Sequence, residues 1–363
     1  MNAAQRLHDF GQSLWLDNIT RGLIADGTLE RYIRDFAVTG LTSNPTIFDH
    51  AIAKNDFYDD AIREKTRAGR SGEALFVELA LEDLVHAADL FRPAHEASGG
   101  ADGWVSLEVS PLLADDAAGS TRAAAELHAR AGRPNFFVKI PGTRAGICAI
   151  EDSIFAGVPI NVTLLFSREQ YMAAAEAYMR GIERRIAAGR DPAVRSVASI
   201  FVSRWDVAVK DKVPAELRNR LGIAIAGRAY RACGELLASP RWRKLAASGA
   251  LPQRLLWAST GTKDPAAPDV LYVEALAAPG TIDTLPEKTL LAFAEHGKVT
   301  EGMPADGGDA EKVLAEFSRA GIDVAALAAR LQREGAAAFT ESWTDLLDCI
   351  ASKGETLAQA RRA

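Results

Sequence analysis

Short apolar, β-branched runs recur along the chain, and each one stops in polar residues. In order they are Leu14-Trp15-Leu16-Asp17; Ala37 to Leu41, followed by Thr42-Ser43-Asn44; Trp104-Val105-Ser106-Leu107-Glu108; Phe136-Phe137-Val138-Lys139; Ile160-Asn161-Val162-Thr163; Val197 to Val202, followed by Ser203-Arg204; Leu255-Leu256-Trp257-Ala258-Ser259; and Gly280-Thr281-Ile282-Asp283-Thr284, which has the weakest pattern. Each has the length of a strand and is flanked by breakers or polar turns. Helical stretches separate them. From Gly72 to Ala97, Phe76, Ala80, Leu84, Ala87 and Phe91 fall near one face at spacings of three or four. Gln170 to Ala188 and Ala215 to Ala238 are rich in Ala, Arg and Glu, as solvent-backed helices are. Asp309 to Gly321 and Val324 to Lys353 read as two more helices, and Thr300 to Gly308 as a loop.

Strands alternating with helices imply parallel β/α packing. Eight such units predict a closed (β/α)8 TIM barrel, with a doubly wound open sheet as the other topology the pattern allows. Such a barrel needs about 250 residues as one domain. A chain of 363 therefore fits a single domain over 1–363 with additions. Pro45 to Gly103 forms a long helical insertion after the second strand. The region after about Ala294 is helical, with 310–363 as a C-terminal helical extension.

In this architecture the carboxyl ends of the strands form the active-site face. Nearly every predicted strand ends there in a functional side chain: Asp17, Asn44, Glu108, Lys139, Asn161 and Thr163, Arg204, Ser259. Polar groups inside a barrel are costly unless paired, so this rim reads as a site. Lys139 carries the most information, because it is embedded in an apolar strand and no other lysine has such a context. A free lysine is neutral in only about four molecules in ten thousand at pH 7. Burying an amine favours its neutral, nucleophilic form, which suits Schiff-base chemistry. The structural readings of the same residues are a snorkelling or ion-paired lysine for Lys139, a helix N-cap for Asp17, a partner carboxylate for Glu108, a turn start for Asn44, a satisfied buried amide for Asn161 and a surface salt bridge for Arg204.

Composition narrows the function classes. A net charge of −6 gives no footprint for nucleic acid, so an anionic ligand must find basic groups placed locally. Cys148, Cys233 and Cys349 are sparse and odd in number, which fits a reducing cytosol rather than a disulfide framework. The first residues carry charges and lack the apolar core of a signal peptide, and no apolar run reaches membrane-spanning length. There is no zinc spacing, no Walker motif and no GxGxxG after a strand, and none of the six histidines ends a predicted strand. No metal or other cofactor is expected.

Phe137-Val138-Lys139-Ile140-Pro141-Gly142-Thr143-Arg144-Ala145-Gly146-Ile147 resembles the active-site lysine signature of transaldolases, and Gly40-Leu41-Thr42-Ser43-Asn44-Pro45-Thr46-Ile47-Phe48 resembles their second signature. The likeness continues at Leu16-Asp17, Leu107-Glu108-Val109-Ser110, Asn161 to Ser167 and Ser199 to Arg204, and spans roughly Leu14 to Pro286. It points to the longer branch of that family, without a fused isomerase domain. The resemblance implies a metal-independent transferase of the pentose phosphate pathway, working in the cytoplasm on sugar phosphates. A dihydroxyacetone unit would pass from a ketose phosphate (sedoheptulose 7-phosphate or fructose 6-phosphate) to an aldose phosphate. By the same resemblance Lys139 forms the Schiff base, Asp17 takes the C4 hydroxyl proton, and Glu108 and Thr163 manage a water. Asn44, Asn161 and Ser199 would bind the dihydroxyacetone hydroxyls, and Arg204 the phosphate. After the seventh strand the better-known branch carries Ala-Ser-Phe-Arg, whereas this chain has Ala258-Ser259-Thr260-Gly261-Thr262-Lys263. Ser259 matches, and Lys263 stands as the replacement for the second arginine. The helices of the extension resemble a cover over the barrel mouth, to which Phe339 or Trp343 would contribute.

Two other functions share these residues. One is a Schiff-base aldolase that releases free dihydroxyacetone, although such members are much shorter. The other is a non-catalytic sugar-phosphate binding barrel, which would be expected to lack one of Asp17, Glu108, Lys139 and Thr163. The sequence does not specify an oligomeric state.

Overall fold

The computed structural model describes residues 1–359 of the chain. Eight parallel strands close into a barrel in sequence order: β1 (Ser13–Leu16), β2 (Val38–Thr42), β3 (Trp104–Glu108), β4 (Phe136–Pro141), β5 (Ile160–Leu165), β6 (Ser196–Phe201), β7 (Arg254–Ala258) and β8 (Ile282–Leu285). Closure is made by β1 pairing with β8, Leu16 opposite Leu285. The open-sheet topology is thereby excluded. Each strand is buried along nearly its whole length, because helices cover the outside while side chains fill the inside. This double burial explains why the strands read as nearly continuous apolar runs.

The barrel's interior packing depends on one glycine. Gly40 on β2 lies so close to the Trp15 indole that an added Cβ would stand 2.7 Å from the ring and 2.6 Å from the Trp104 carbonyl oxygen. Trp15, fully buried, donates its indole N–H to Asp102 at 2.7 Å near the amino-terminal end of the barrel. That end is further closed by Arg254, whose guanidinium donates to the carbonyls of Ala101, Gly280 and Thr281 and to the Ser13 hydroxyl.

The insertion after β2 consists of three helices, Pro45–Lys54, Asp59–Arg67 and Gly72–Ala97, the last with the bounds the periodicity predicts. Short helices at Ala3–Asp9, Arg21–Ala25 and Thr28–Phe36, which the pattern does not separate from loops, surround β1. The expected helix over Ala215 to Ala238 is divided: a 3-10 turn at Ala215–Leu217 precedes the helix Leu221–Ala238. Its break has a cause, since Asp206 accepts the backbone N–H groups of Leu221 and Gly222 and sets a new helix start there.

The extension comprises the helices Ala310–Arg319 and Val324–Gln359; its expected last residues, 360–363, lie outside the described ones. The long C-terminal helix runs across the barrel mouth. Gln332 donates its amide to the carbonyl oxygens of Gly142 and Leu164, each at 3.0 Å, and Thr46 donates to Ser342 at 2.8 Å. At the other end Lys353 donates to the carbonyls of Ile52 and Asn55 in the insertion. No helix among the described residues is long and apolar enough to cross a membrane.

Candidate active site

The strand ends converge as the barrel requires. Asp17, Asn44, Lys139, Thr163, Ser199, Arg204, Ser259 and Lys263 line one cleft at the carboxyl face, of about 610 Å³ including its mouth. Glu108 and Asn161 stand directly behind its wall: Glu108 reaches Lys139, and Asn161 is hydrogen-bonded to Ser199.

Lys139 lies in β4 opposite Glu108 of β3 and Asn161 of β5. Among the described residues it is the one buried lysine, 6% exposed. Its Nζ donates to the Ser43 carbonyl oxygen at 3.0 Å and stands 3.4 Å from Glu108 Oε2. Ser43 can present that carbonyl because Asn44 turns the chain out of β2 and caps the next helix, its Oδ1 accepting from the Ile47 N–H at 3.1 Å. Asn44 thus keeps both of the readings its sequence allows. Its carbonyl oxygen serves the cap, while the residue lines the cleft.

Glu108 is buried, and neither carboxylate oxygen receives a well-aligned hydrogen bond; the Thr163 hydroxyl is buried without a partner too. Burial pushes the Glu108 carboxyl above the usual carboxylate range, against the pull of the Lys139 ammonium. Asp17 follows β1 and caps no helix, so the capping reading is set aside. Thr42 donates to Asp17 Oδ1 at 2.9 Å, and Thr42 and Thr284 share a hydroxyl contact of 2.7 Å. Burial raises the Asp17 carboxyl as well, opposed first by Lys139, then by the Thr42 hydrogen bond and by Lys263 and Arg204.

Asn161 is fully buried and held from both sides: its amide donates to Ser106 Oγ at 3.2 Å, and Ser199 donates to its Oδ1 at 2.7 Å. The structure therefore gives it the satisfied-amide environment, with Ser199 as the member that faces the cleft.

At the far side, Arg204 makes no ion pair among the described residues, which removes the surface salt-bridge reading. Its guanidinium carbon lies 5.0 Å from the Phe201 ring centre and 5.8 Å from that of Phe339, and burial lowers its pKa. Ser259 adopts a left-handed φ of 58°, which non-glycine residues rarely take and which marks a constrained loop. Its hydroxyl is 2.9 Å from that of Ser203, and its carbonyl accepts the Ser203 N–H. Lys263 is exposed at the rim, unpaired among the described residues. Arg204 and Lys263 supply there the positive charge that the chain as a whole lacks.

Sequence reasoning missed Thr42, Phe201, Thr284 and Pro286 as wall residues. Thr42 sits in the recognised second signature and Thr284 ends the eighth predicted strand, so the strand-end rule extends to both. Phe339, expected as a cover residue, lines the cleft. Trp343 packs instead on Phe76 of the insertion, ring centres 5.1 Å apart. Among the described residues no three His, Cys, Asp or Glu side chains gather as a metal site would.

Residues 14–350 match the family model described as transaldolase/fructose-6-phosphate aldolase. A transaldolase of Parafrankia sp. (strain EAN1pec) is 45% identical over 350 residues, 94% of this chain and 95% of its own length. Transaldolases of Thiobacillus denitrificans (strain ATCC 25259 / T1) and Neisseria gonorrhoeae (strain ATCC 700825 / FA 1090) are 43% and 42% identical, covering 96% and 93% of this chain and 99% and 96% of their own lengths.

Proposed function

The chain belongs to the transaldolase/fructose-6-phosphate aldolase family, and from that premise we propose that it transfers a dihydroxyacetone unit between sugar phosphates through a Schiff base on Lys139. The observation that carries this reading is the buried Lys139 amine between the Glu108 carboxylate and the Ser43 carbonyl, on the wall of a cleft that Asp17 also lines.

Glu108 takes a proton from Lys139, and the freed amine adds to the C2 carbonyl of a ketose phosphate such as sedoheptulose 7-phosphate or fructose 6-phosphate. The carbinolamine loses water as Glu108 passes a proton to the departing hydroxyl, leaving an iminium. Glu108 is suited to this role because burial raises its pKa and so makes it a readier proton carrier than an exposed carboxylate, and its two carboxyl oxygens and the Thr163 hydroxyl, free of well-aligned partners, can hold the released water. Asp17 then takes the proton of the C4 hydroxyl. The C3–C4 bond breaks, its electrons pass into the iminium, and an aldose phosphate leaves. The resulting enamine attacks the aldehyde of a second aldose phosphate, glyceraldehyde 3-phosphate or erythrose 4-phosphate, and the steps run in reverse.

Asn44 and Ser199 bind the dihydroxyacetone hydroxyls, with Asn161 holding Ser199 in place. Arg204, Ser259 and Lys263 take the phosphate, the arginine through its planar fork and the lysine as a point charge. The chain acts as one functional unit in which the C-terminal helix Val324–Gln359 covers the barrel mouth. The enzyme works in the cytosol on sugar phosphates, without nucleic acid or membrane partners.

The test is product analysis. Fructose 6-phosphate with erythrose 4-phosphate should yield sedoheptulose 7-phosphate, with little free dihydroxyacetone when the acceptor is left out. Steady release of dihydroxyacetone without acceptor would establish the aldolase instead. No turnover of either kind would favour the binding barrel.

A further inference from the structure

Arg204 presents a mechanical problem that the site as described does not solve. An arginine side chain loses considerable rotamer freedom when fixed in one geometry. A phosphate ligand is bound well only if the guanidinium is already aimed. Among the described residues no carboxylate holds it. What does surround it is aromatic and close-packed: the Phe201 ring from its own strand end, the Phe339 ring from the C-terminal helix, and Gly335 one turn earlier on that helix. At Gly335 an added Cβ would stand 3.3 Å from Arg204 Nη1 and 3.0 Å from Leu164 Cδ2. The helix is itself fixed to the barrel by the two Gln332 hydrogen bonds.

We propose that Phe339 is a positioning residue that selects for phosphorylated substrates, by holding the Arg204 guanidinium against Phe201 with its N–H edge free. Ring contacts occupy the faces of a guanidinium and leave its in-plane donors available, so an arginine held this way is both immobile and unsatisfied. A carboxylate partner would immobilise it equally but would consume the donors the phosphate needs. The C-terminal helix is thus part of the specificity machinery: it supplies a ring 135 positions away in sequence from the arginine it steadies. This inference rests on the reading of Arg204 as the phosphate ligand.

The experiment compares Phe339→Leu, which keeps most of the volume and removes the ring, with Phe339→Tyr, which keeps the ring. Calorimetry gives Kd for inorganic phosphate without turnover. Kinetics with a fixed acceptor give kcat and KM for fructose 6-phosphate and kcat/KM for unphosphorylated fructose. Phe339→Leu is expected to weaken phosphate binding and raise KM for fructose 6-phosphate about tenfold. It should leave kcat and kcat/KM for fructose within about twofold, and Phe339→Tyr should behave as the parent protein. Equal losses on both sugars, or an unchanged phosphate Kd, would overturn the proposal. Arg204→Met separates the premise: if it too leaves the phosphate Kd unchanged, the assignment of Arg204 has failed, whereas a large loss there with none in Phe339→Leu defeats Phe339 alone. Should Phe339→Leu not fold, Phe339→Met also removes the ring while its flexible apolar side chain adapts to the space; it must then raise the same KM, and an unaltered KM counts against the proposal.

Discussion

Glu108 and Lys139 face each other in register across β3 and β4, with Nζ 3.4 Å from Oε2, and both are buried. A pair like this could serve stability alone, but a buried ion pair gains little over an apolar substitute unless its remaining lone pairs are satisfied. Here both carboxylate oxygens lack well-aligned partners. The arrangement is costly for folding and useful for moving a proton. Glu108→Gln, which keeps size and removes the titrating group, should lower kcat by about 10²–10⁴-fold with a smaller change in KM. Steady-state kinetics check this, and a kcat within threefold of the parent would assign Glu108 a structural role.

Lys263 lies at the rim of the cleft, exposed. If it is the point charge opposite Arg204, Lys263→Ala should raise KM for sugar phosphates more than it lowers kcat. An unchanged KM would remove it from the site and leave Arg204 and the Ser259 loop to hold the phosphate.

Much of this site was legible in the sequence because the (β/α)8 barrel converts chain order into spatial order. Once β4 is placed, Lys139 must lie in its carboxyl-terminal half, and the same holds for Glu108 and Thr163 on β3 and β5, whereas Ser199 is reached only through the family resemblance. The strands themselves are visible because both of their faces are buried. The illegible parts are those no strand dictates. The Thr42–Thr284 hydroxyl contact joins residues 242 apart, and the Phe339–Arg204 contact depends on how a separate helix docks. The left-handed turn at Ser259 has no glycine to announce it. Asn161 shows the converse: a strand end placed it correctly, but its own hydrogen bonds to Ser106 and Ser199 put it behind the wall.

Asp283 is a fully buried carboxyl on β8 with neither oxygen in a well-aligned hydrogen bond, and burial pushes its pKa up to about 8 from 3.8, against the pull of the nearby Thr260 hydroxyl. Below about pH 4 the folded and unfolded chains both hold this proton. Between there and about pH 8 only the folded chain does, so unfolding releases a proton and stability falls as pH rises, levelling off above pH 8. Asp283→Asn removes the group. Thermal melts should show it stabilising by several degrees at pH 8 and by clearly less at pH 5. A gain independent of pH would mean that Asp283 is not the titrating group.

Gly40 is required by contact rather than by turn geometry. In Gly40→Ala the new methyl would have to displace the Trp15 ring or the Trp104 carbonyl. Overpacking of this kind should cost about 1–3 kcal/mol. Chemical denaturation measures it, and a variant as stable as the parent would show that the barrel interior yields more readily than its packing implies.

The central claim is the covalent role of Lys139, and borohydride trapping tests it most directly. The protein is incubated with fructose 6-phosphate, reduced, digested and mapped by mass spectrometry. The account predicts a stable dihydroxyacetone-sized adduct on Lys139 that is absent from Lys139→Ala. A folded protein that yields no adduct, or yields one on another lysine, would contradict it.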